Sequence, residues 1–267
     1  MLVSLALMWC HIFNRKGPIM RKNILITGAS SGLGEGMARI WAANGCNLAL
    51  CARRADKLEA LQRELQQAHP NIRVLVRELD VCDYDQVFEV FRGFRKELGS
   101  LDRVVVNAGI GSSQPIGRGH FAANRQAVET NVTGAIAQSE AAMEIFREQN
   151  TGHLVLMSSV SAIRGFPGPV NVYAATKAAV GSIAEGLQLD TLGTPITVSN
   201  IMPGYILTDI NRDIKHAPFR VDLQTGAKAL VKAIDAEKRC AFVPGWPWAP
   251  LSRVLKAMPF RLFARAL

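Results

Sequence analysis

Short apolar runs alternate along the chain with longer stretches in which apolar residues recur every three or four positions. The seven short runs occupy residues 23–27, 47–51, 72–76, 101–106, 153–157, 196–202 and 241–243. Short, mainly apolar runs of this length are typical of parallel strands that are buried on both faces. The alternation therefore predicts an α/β fold, a single doubly wound domain with a parallel sheet of about seven strands.

The longer stretches predict amphipathic helices between these strands. Three of them are expected at about 33–44, 122–148 and 223–236. Two further apolar stripes have the spacing of core-facing helices and consist of Leu58, Leu61, Leu65 and Ala68, then of Val87, Phe88, Phe91, Phe94 and Leu98. Asp83 precedes the second stripe and fits the N-cap position of its helix.

Length and composition favour one domain. The chain has 267 residues and no Pro/Gly/Ser-rich linker that would divide it into two. Its five cysteines are odd in number and lack the spacing of metal ligands. They indicate reduced thiols in a cytoplasmic protein, and we predict no metal site.

The charge of the chain is concentrated at its two ends. The formal net charge is +9, and residues 1–22 and 246–267 each contain four basic side chains and no acidic one, which leaves +1 for the stretch between them. This near-neutral body argues against a nucleic-acid partner. Because both ends are also apolar, they favour contact with a membrane surface.

The apolar run at the N-terminus covers residues 1–13, whereas a bilayer-spanning helix needs about 20 residues. A signal peptide has basic residues ahead of its apolar run, and this run has none. Two interpretations remain open. The run is either a short anchor held at the cytoplasmic side by the basic residues that follow, or the product of a start codon assigned too early. The second is favoured, with Met20 as the true first residue, because residues 20–22 lead directly into the first strand.

We divide the chain into an N-terminal extension (1–22), a main domain (23–245) and a C-terminal tail (246–267). The tail interleaves Trp246, Trp248, Phe260 and Phe263 with arginine and lysine. This mixture is typical of a segment in the headgroup layer of a membrane. Packing across a cleft of the chain's own domain, or against another subunit, is an equally supported alternative.

One pair of side chains in the last third of the chain can carry proton chemistry. Tyr173 and Lys177 stand four residues apart, so on a helix they are neighbours on one face. The ordinary pKa of a tyrosine is about 10, and a nearby cation favours the phenolate and lowers that value. Tyr173 is therefore a candidate general acid or base.

The turn after the first strand is rich in glycine, with Gly28, Gly32 and Gly34 leading into a helix. Glycine lets the backbone approach a ligand closely, and the amides at a helix N-terminus bind anions. A pyrophosphate fits this combination, although the spacing differs from the Gly-x-Gly-x-x-Gly fingerprint of dinucleotide sites.

The residues after the second strand indicate which nucleotide would bind. An acidic residue there would bond to the ribose hydroxyls of NAD, whereas an arginine accommodates the 2′-phosphate of NADP. The chain has Arg53 and Arg54 at this point and no acid. We therefore expect NADP(H), with Arg53 as the phosphate contact and Ser31 or Arg54 assisting it.

Taken in order, six motifs resemble the short-chain dehydrogenase/reductase family over roughly residues 22–245. They are the loop Thr27-Gly28-Ala29-Ser30-Ser31-Gly32-Leu33-Gly34, then Asn107-Ala108-Gly109, Asn131, Ser158-Ser159, Tyr173 with Lys177, and Pro203-Gly204. The resemblance implies a Rossmann-like domain that transfers hydride between a nicotinamide and a carbonyl or alcohol. It also implies a homodimer or homotetramer.

The same resemblance implies roles for individual residues. Ser159 would hydrogen-bond the carbonyl oxygen, and Tyr173 would give that oxygen a proton. Lys177 would lower the pKa of Tyr173 and bind the nicotinamide ribose, while Asn131 would anchor a proton-supplying water. The residues expected to bind the cofactor are Gly28, Ser30, Ser31, Gly32, Leu33, Gly34, Arg53, Arg54, Asp80, Val81, Asn107, Ala108, Gly109, Tyr173, Lys177, Pro203, Gly204, Ile206 and Thr208.

Three serines follow the fifth strand and compete for the position beside the carbonyl. Ser159 and Ser158 stand fourteen and fifteen residues before Tyr173, whereas the family commonly has thirteen, and Ser161 is a third candidate. We assign the role to Ser159 and attribute the difference to one extra residue in the loop 164–171.

These residues predict an NADP(H)-dependent oxidoreductase, with reduction of a ketone or aldehyde as the expected direction. Loops 109–119, 164–172 and 205–222 would form the substrate pocket. Two alternatives remain. The tail suggests a membrane-associated reductase of lipid or long-chain acyl substrates, and the fold alone would also suit a catalytically idle nucleotide sensor or scaffold.

Overall fold

The computed structural model describes residues 21–111, 113–208 and 217–266. The predictions for the N-terminal run, for a start at Met20 and for residues 209–216 lie outside the described residues. The strands are β1 (Asn23–Thr27), β2 (Asn47–Ala52), β3 (Val74–Glu78), β4 (Arg103–Val106), β5 (Gly152–Met157), β6 (Ile196–Pro203) and β7 (Cys240–Val243). The helices are α1 (Gly32–Ala43), α2 (Ala55–Ala68), α3 (Tyr84–Leu98), α4 (Phe121–Val128), α5 (Gly134–Gln149), α6 (Val170–Asp190), α7 (Leu223–Asp235), α8 (Gly245–Ala257) and α9 (Phe260–Ala266).

The seven strands form one parallel sheet in the order β3-β2-β1-β4-β5-β6-β7. The predicted doubly wound, Rossmann-like fold with about seven strands is therefore confirmed. The strand order reverses between β1 and β4. At such a point the loops at the carboxyl ends of the two strands diverge and leave a crevice for a ligand.

Helices cover both faces of the sheet, which is why apolar residues on its strands face both ways. Along β1, Ile24 and Ile26 face the layer that contains Trp41 of α1, while Leu25 faces the layer that contains Phe91 of α3. All five side chains are almost fully buried. Burying one side chain of this size contributes about 1.5–3 kcal/mol to folding.

Two elements differ from the sequence prediction. Strand β3 begins at residue 74 rather than 72, because the Ile72 amide is used in a turn, where it donates to the His69 carbonyl (3.2 Å). The long helix expected over 122–148 is divided into α4 and α5 by a π-helical segment, Glu129–Thr133. Such segments occur often at functional sites.

The C-terminal tail folds into α8 and α9 and packs on the main domain. Trp248, Ser252 and Phe263 turn inward and are 3–5% exposed. No helix within the described ranges is long and apolar enough to cross a membrane.

A buried ionic network closes the amino-terminal edge of the sheet, opposite the crevice. Arg103 donates to His153 Nδ1 (2.9 Å) and forms an ion pair with Asp235. Arg21 donates to both carboxylate oxygens of Glu237 (2.8 and 3.2 Å). The network thus ties Arg21, two residues before β1, to strands β4 and β5 and to the end of α7.

His153 makes the stability of this fold depend on pH. Burial, and then the charges of Arg103 and Arg21, hold the pKa of His153 well below its ordinary value of 6.5. The unfolded chain therefore binds a proton near pH 6.5 that the folded chain does not bind. This contribution to stability is fully present above pH 6.5 and is lost progressively as the pH falls below it.

We expect the free energy of unfolding to be about 1.4 kcal/mol lower at pH 5.5 than at pH 7.5 on account of this one group. Urea denaturation at the two pH values measures the difference. In His153→Gln, which has no ionisable group at this position, the difference should shrink by that amount. An unchanged pH dependence in the variant would contradict the assignment to His153.

Candidate active site

A cleft of about 670 Å³ lies at the carboxyl edge of the sheet, where the strand order reverses. Loops from six strands and the start of α6 form its walls. The residues that line it are Gly28, Ser30, Ser31, Gly32, Leu33, Cys51, Ala52, Arg53, Arg54, Leu79, Asp80, Val81, Asn107, Ala108, Gly109, Ile110, Gly111, Thr130, Met157, Ser158, Ser159, Tyr173, Lys177, Pro203, Gly204, Ile206 and Thr208. All the residues predicted to bind the cofactor except Gly34 are therefore found along one cleft.

The glycine-rich loop lies so close to its neighbours that side chains would not fit. At Gly28, whose φ is +64°, a Cβ atom would lie 2.9 Å from the Cα of Ala108. Gly32 also has a positive φ, +58°, which favours glycine. Gly34 lies behind the loop, where a Cβ atom would come within 2.5 Å of the Gly28 carbonyl oxygen. Its position indicates that Gly34 lets α1 approach the loop. Gly34 is not among the residues that line the cleft, and its predicted contact with the cofactor stays a prediction.

The ends of β1 and β4 are held together beneath this loop. The Thr27 hydroxyl accepts hydrogen bonds from the backbone amides of Asn107 and Ala108, both at 3.0 Å. The side-chain amide of Asn107 donates to the Thr27 carbonyl (2.9 Å). These bonds fix the two strand ends where the sheet opens.

The two arginines after β2 lie at one end of the cleft. Both are exposed. Arg54 reaches back to the glycine-rich loop and donates to the Ser30 hydroxyl (2.9 Å) and to the Ser31 hydroxyl (2.6 Å). Two hydroxyls and two guanidinium groups thus surround this end of the cleft, and all of them are good donors to a phosphate.

Asp80 and Asp83, which follow β3, have different positions and contacts. Asp80 lines the cleft and accepts a hydrogen bond from the Cys82 amide (3.0 Å). Asp83 accepts from the Gln86 amide (3.2 Å) and caps α3, as predicted. The helix therefore does not need Asp80 as its cap.

Tyr173 and Lys177 lie in the first two turns of α6, at the other end of the cleft. The Lys177 ammonium is 5.9 Å from the centroid of the Tyr173 ring and donates to the Met157 carbonyl (2.9 Å). Tyr173 is half-buried, whereas Lys177 is 7% exposed.

The pKa values of this pair differ from the sequence expectation. Burial raises the pKa of Tyr173 above its ordinary value, and a hydrogen bond with Ser159 acts in the opposite direction. Burial also lowers the pKa of Lys177 to about 8. The net shift of the Tyr173 pKa in this structure is therefore upward, and the predicted lowering of that pKa by the charge of Lys177 stays a prediction.

The structure separates the three serines after β5. The Ser158 hydroxyl is buried and donates to the Lys177 carbonyl (2.6 Å), so it fastens α6 to β5. The Ser159 side chain hydrogen-bonds with Tyr173 and accepts from the Ser161 amide (3.1 Å). Ser161 supports Ser159 through a second contact between the hydroxyls (2.9 Å). Of the three serines, Ser159 is the one that acts on the pKa of Tyr173.

Asn131 occupies the middle of the π-helical segment. Its side chain bonds to both backbone groups of Ile110, accepting from the amide (2.8 Å) and donating to the carbonyl (2.9 Å). It also donates to Thr176 Oγ1 (3.1 Å), next to Lys177. These contacts are made from within the wider π-helical turn, which periodicity in the sequence does not reveal. Asn131 itself lies behind the cleft wall, and its neighbour Thr130 lines the cleft.

Several residues that line the cleft were not predicted from the sequence. Cys51 is the penultimate residue of β2 and Met157 is the last residue of β5. Ile110 continues the triplet after β4, and Thr130 precedes Asn131. Their apolar or small side chains carry no chemical signal. Only their position at the carboxyl ends of strands would have identified them.

The tail packs against the loop that joins Ser159 to Tyr173. Arg164 in that loop donates to the carbonyl groups of Leu255 (3.0 Å) and Met258 at the end of α8. Its guanidinium also lies 4.5 Å from the centroid of the Phe263 ring in α9. Trp248 rests on Gly204, where a Cβ atom would come within 2.1 Å of the indole nitrogen. Both helices thus contact loops of the expected substrate pocket.

Comparison with known proteins assigns this arrangement to a family. The family model described as short chain dehydrogenase matches residues 22–218. The chain belongs to the short-chain dehydrogenase/reductase family. An uncharacterized oxidoreductase of Mycobacterium tuberculosis is 48% identical to it over 247 residues, which cover 92% of this chain and 98% of the relative.

Two solved structures of short-chain dehydrogenases/reductases show the same architecture. Levodione reductase has a TM-score of 0.77 at 27% identity, and the match covers 85% of this chain and 98% of the other. An alcohol dehydrogenase from the archaeon Thermococcus sibiricus, complexed with 5-hydroxy-NADP, has a TM-score of 0.72 at 26% identity, with 79% and 89% covered. The tail of this chain lies beyond the part that the family model matches.

Membership of the short-chain dehydrogenase/reductase family makes this protein an oxidoreductase that acts on CH–OH or C=O groups. The family binds NAD or NADP, acts on small molecules and is typically oligomeric. Within the family, substrate and preferred nucleotide vary from member to member.

Proposed function

We propose that this protein is an NADP(H)-dependent carbonyl reductase in which Tyr173 is the general acid and base. The observation that carries the proposal is the convergence of Ser159, Tyr173 and Lys177 at one end of a glycine-lined cleft. Ser159 and Tyr173 line the same part of the cleft, and Ser159 acts on the pKa of Tyr173, which supports a site where a carbonyl oxygen accepts from both hydroxyls. We also propose that the protein forms a homodimer or homotetramer, and this part of the proposal rests on family membership alone.

The residues along the cleft fit a dinucleotide. Gly28 and Gly32 leave room for a pyrophosphate beside the first turn of α1. Asp80 and Val81 would face the adenine, Lys177 the nicotinamide ribose, and Ile206 with Thr208 the carboxamide. When bound, the nicotinamide supplies or accepts the hydride.

The protein's own groups would handle the carbonyl oxygen and its proton. The Ser159 hydroxyl orients the oxygen, and Tyr173 donates the proton as the oxygen becomes an alkoxide. With a pKa of about 8, Lys177 is mostly protonated at neutral pH, so its charge stabilises the phenolate that remains. Asn131 holds the backbone at Ile110 in place, and we assign it the anchoring of a water that returns the proton.

The preference for NADP(H) is supported by the charge at the end of β2. Residues 51–54 contain two arginines and no acid. Arg54 is also braced by Ser30 and Ser31, so its guanidinium is already directed to the edge of the cleft. A 2′-phosphate would gain charge-assisted hydrogen bonds from this group and from Arg53, whereas a free ribose hydroxyl would gain little.

Arg53→Ala and Arg54→Ala should each weaken NADPH binding roughly 10- to 100-fold, because one charge-assisted hydrogen bond is lost. Binding of NADH should change little. Fluorescence titration of the purified protein with each nucleotide measures both affinities. Arg63→Ala is the matched control, since Arg63 is an exposed arginine on α2 away from the cleft. Equal losses for NADPH and NADH, or none, would refute the assignment of the phosphate site.

A further inference from the structure

The two tail helices use only one side to contact the domain. Trp248 and Phe263 are 4% and 5% exposed, and both have ring contacts with side chains of the main domain. Arg164 adds hydrogen bonds to the end of α8. This inner side is sufficient to hold the helices in place. The outward side, which we name the tail surface, consists of Trp246, Arg253, Val254, Lys256, Phe260, Arg261, Leu262 and Arg265.

Large apolar side chains stand out from the tail surface. The exposed fractions are 80% for Trp246, 56% for Val254, 76% for Phe260 and 54% for Leu262. Single exposed apolar residues are common on soluble proteins, but four of them on two short consecutive helices form a group that favours contact with another apolar phase.

The charge of the tail surface selects the kind of partner. Arg253, Lys256, Arg261 and Arg265 are all exposed, and residues 246–267 contain no acidic side chain. A partner must therefore offer negative charge together with an apolar interior. A second copy of the same surface would bring four cations against four cations, which repel each other.

We propose that the tail surface binds an anionic lipid membrane. Lysine and arginine would contact the headgroups, while Trp246 and Phe260 enter the boundary between headgroups and acyl chains. The same helices pack on the loop between Ser159 and Tyr173. When the protein is bound to a membrane through the tail surface, that side of the active site therefore faces the lipid. The proposal depends on neither the nucleotide nor turnover, so it stands or falls apart from the proposed function.

Sedimentation with lipid vesicles tests it. The full chain should bind vesicles of phosphatidylcholine with phosphatidylglycerol and should bind pure phosphatidylcholine much more weakly. Arg253→Gln/Lys256→Gln/Arg261→Gln should reduce binding to the anionic vesicles roughly a hundredfold. Trp246→Ser/Phe260→Ser should also reduce it, and a blue shift of tryptophan fluorescence on binding should be smaller in that variant.

Matched controls distinguish binding through the tail surface from the effects of overall charge and of exposed apolar residues elsewhere. Arg63→Gln/Lys96→Gln/Arg147→Gln removes the same charge from exposed positions elsewhere. Leu189→Ser/Leu192→Ser removes apolar side chains that are 64% and 54% exposed at the end of α6. Both controls should keep binding, and every variant should keep its circular dichroism spectrum.

Three results would overturn the proposal. The first is binding by the tail variants equal to that of the parent, which would assign any vesicle affinity to a part of the chain other than the tail surface. The second is equal loss in the charge control. The third is no vesicle binding together with a fall in the sedimenting mass of Trp246→Ser/Phe260→Ser, which would identify a second copy of the chain as the occupant.

Discussion

Tyr173→Phe is expected to lower kcat for carbonyl reduction by about 10²- to 10⁴-fold, the usual contribution of a positioned general acid. The ring and its packing are kept, and only the proton donor beside Ser159 is removed. NADPH affinity should stay within a few-fold of the parent, because the nucleotide is held mainly by the glycine-rich loop and the arginines. Initial rates of NADPH oxidation and a fluorescence titration measure the two effects separately.

Tyr205→Phe is the matched control for this experiment. Tyr205 is another half-buried tyrosine close to Tyr173, and it packs against Trp248 with ring centroids 5.8 Å apart. Loss of its hydroxyl should change kcat less than tenfold. If the two variants lose activity equally, or if Tyr173→Phe keeps the parent rate, Tyr173 is not the proton donor.

The second large effect is expected from Glu237→Gln, which should lower the free energy of unfolding by about 3–5 kcal/mol. The side chain of Arg21 is 2% exposed and has Glu237 as its ionic partner, which also accepts from Thr197 (2.8 Å). Neutralising the carboxylate leaves a buried guanidinium without its counter-ion. Urea denaturation at pH 7.5, above the range in which His153 titrates, measures the loss.

Glu144→Gln provides the comparison with a surface ion pair. Arg92 and Glu144 form a bridge of 2.9 Å, but their side chains are 64% and 42% exposed. Such pairs contribute about 0–1 kcal/mol. A loss in Glu237→Gln no greater than the loss in Glu144→Gln would show that the buried network is not a main source of stability.

Most of the sheet could be predicted from the sequence because its strands are buried on both faces. Apolar runs such as 23–27 and 153–157 have no competing interpretation when glycine or polar turns flank them. The last strand, Cys240–Val243, is only four residues long and was still anticipated, because a helical stripe precedes it. Strand β3 shifted by two residues since a local turn, rather than hydrophobicity, sets its first pairing.

The π-helical segment could not be anticipated from the sequence. It accompanies hydrogen bonds between Asn131 and Ile110 and Thr176, which are 21 and 45 residues away in the chain. Contacts between residues so far apart in the chain are difficult to predict from the residue types alone. The packing of the tail was likewise one of two open alternatives, because the same aromatic and basic residues suit a protein surface and a membrane.

The candidate site was predictable where chemistry requires a particular residue type. Glycines at positive φ, an arginine pair and a Tyr-Lys pair all leave a signature in the sequence. The pKa shifts of Tyr173 and Lys177 have no such signature, since the burial of these two side chains depends on the surrounding loops. Ser159 could be chosen among three serines by spacing, but its contact with Tyr173 is a property of the folded loop.

The contact between Arg164 and the tail has a consequence for the order of synthesis. The ribosome makes Ser159, Tyr173 and Lys177 well before it makes Leu255, Met258 and Phe263. The loop that joins the serine to the tyrosine therefore gains these supports only after the two tail helices have been translated. A nascent chain that ends before the tail already contains the proposed catalytic residues, but their loop then lacks its contacts with α8 and α9.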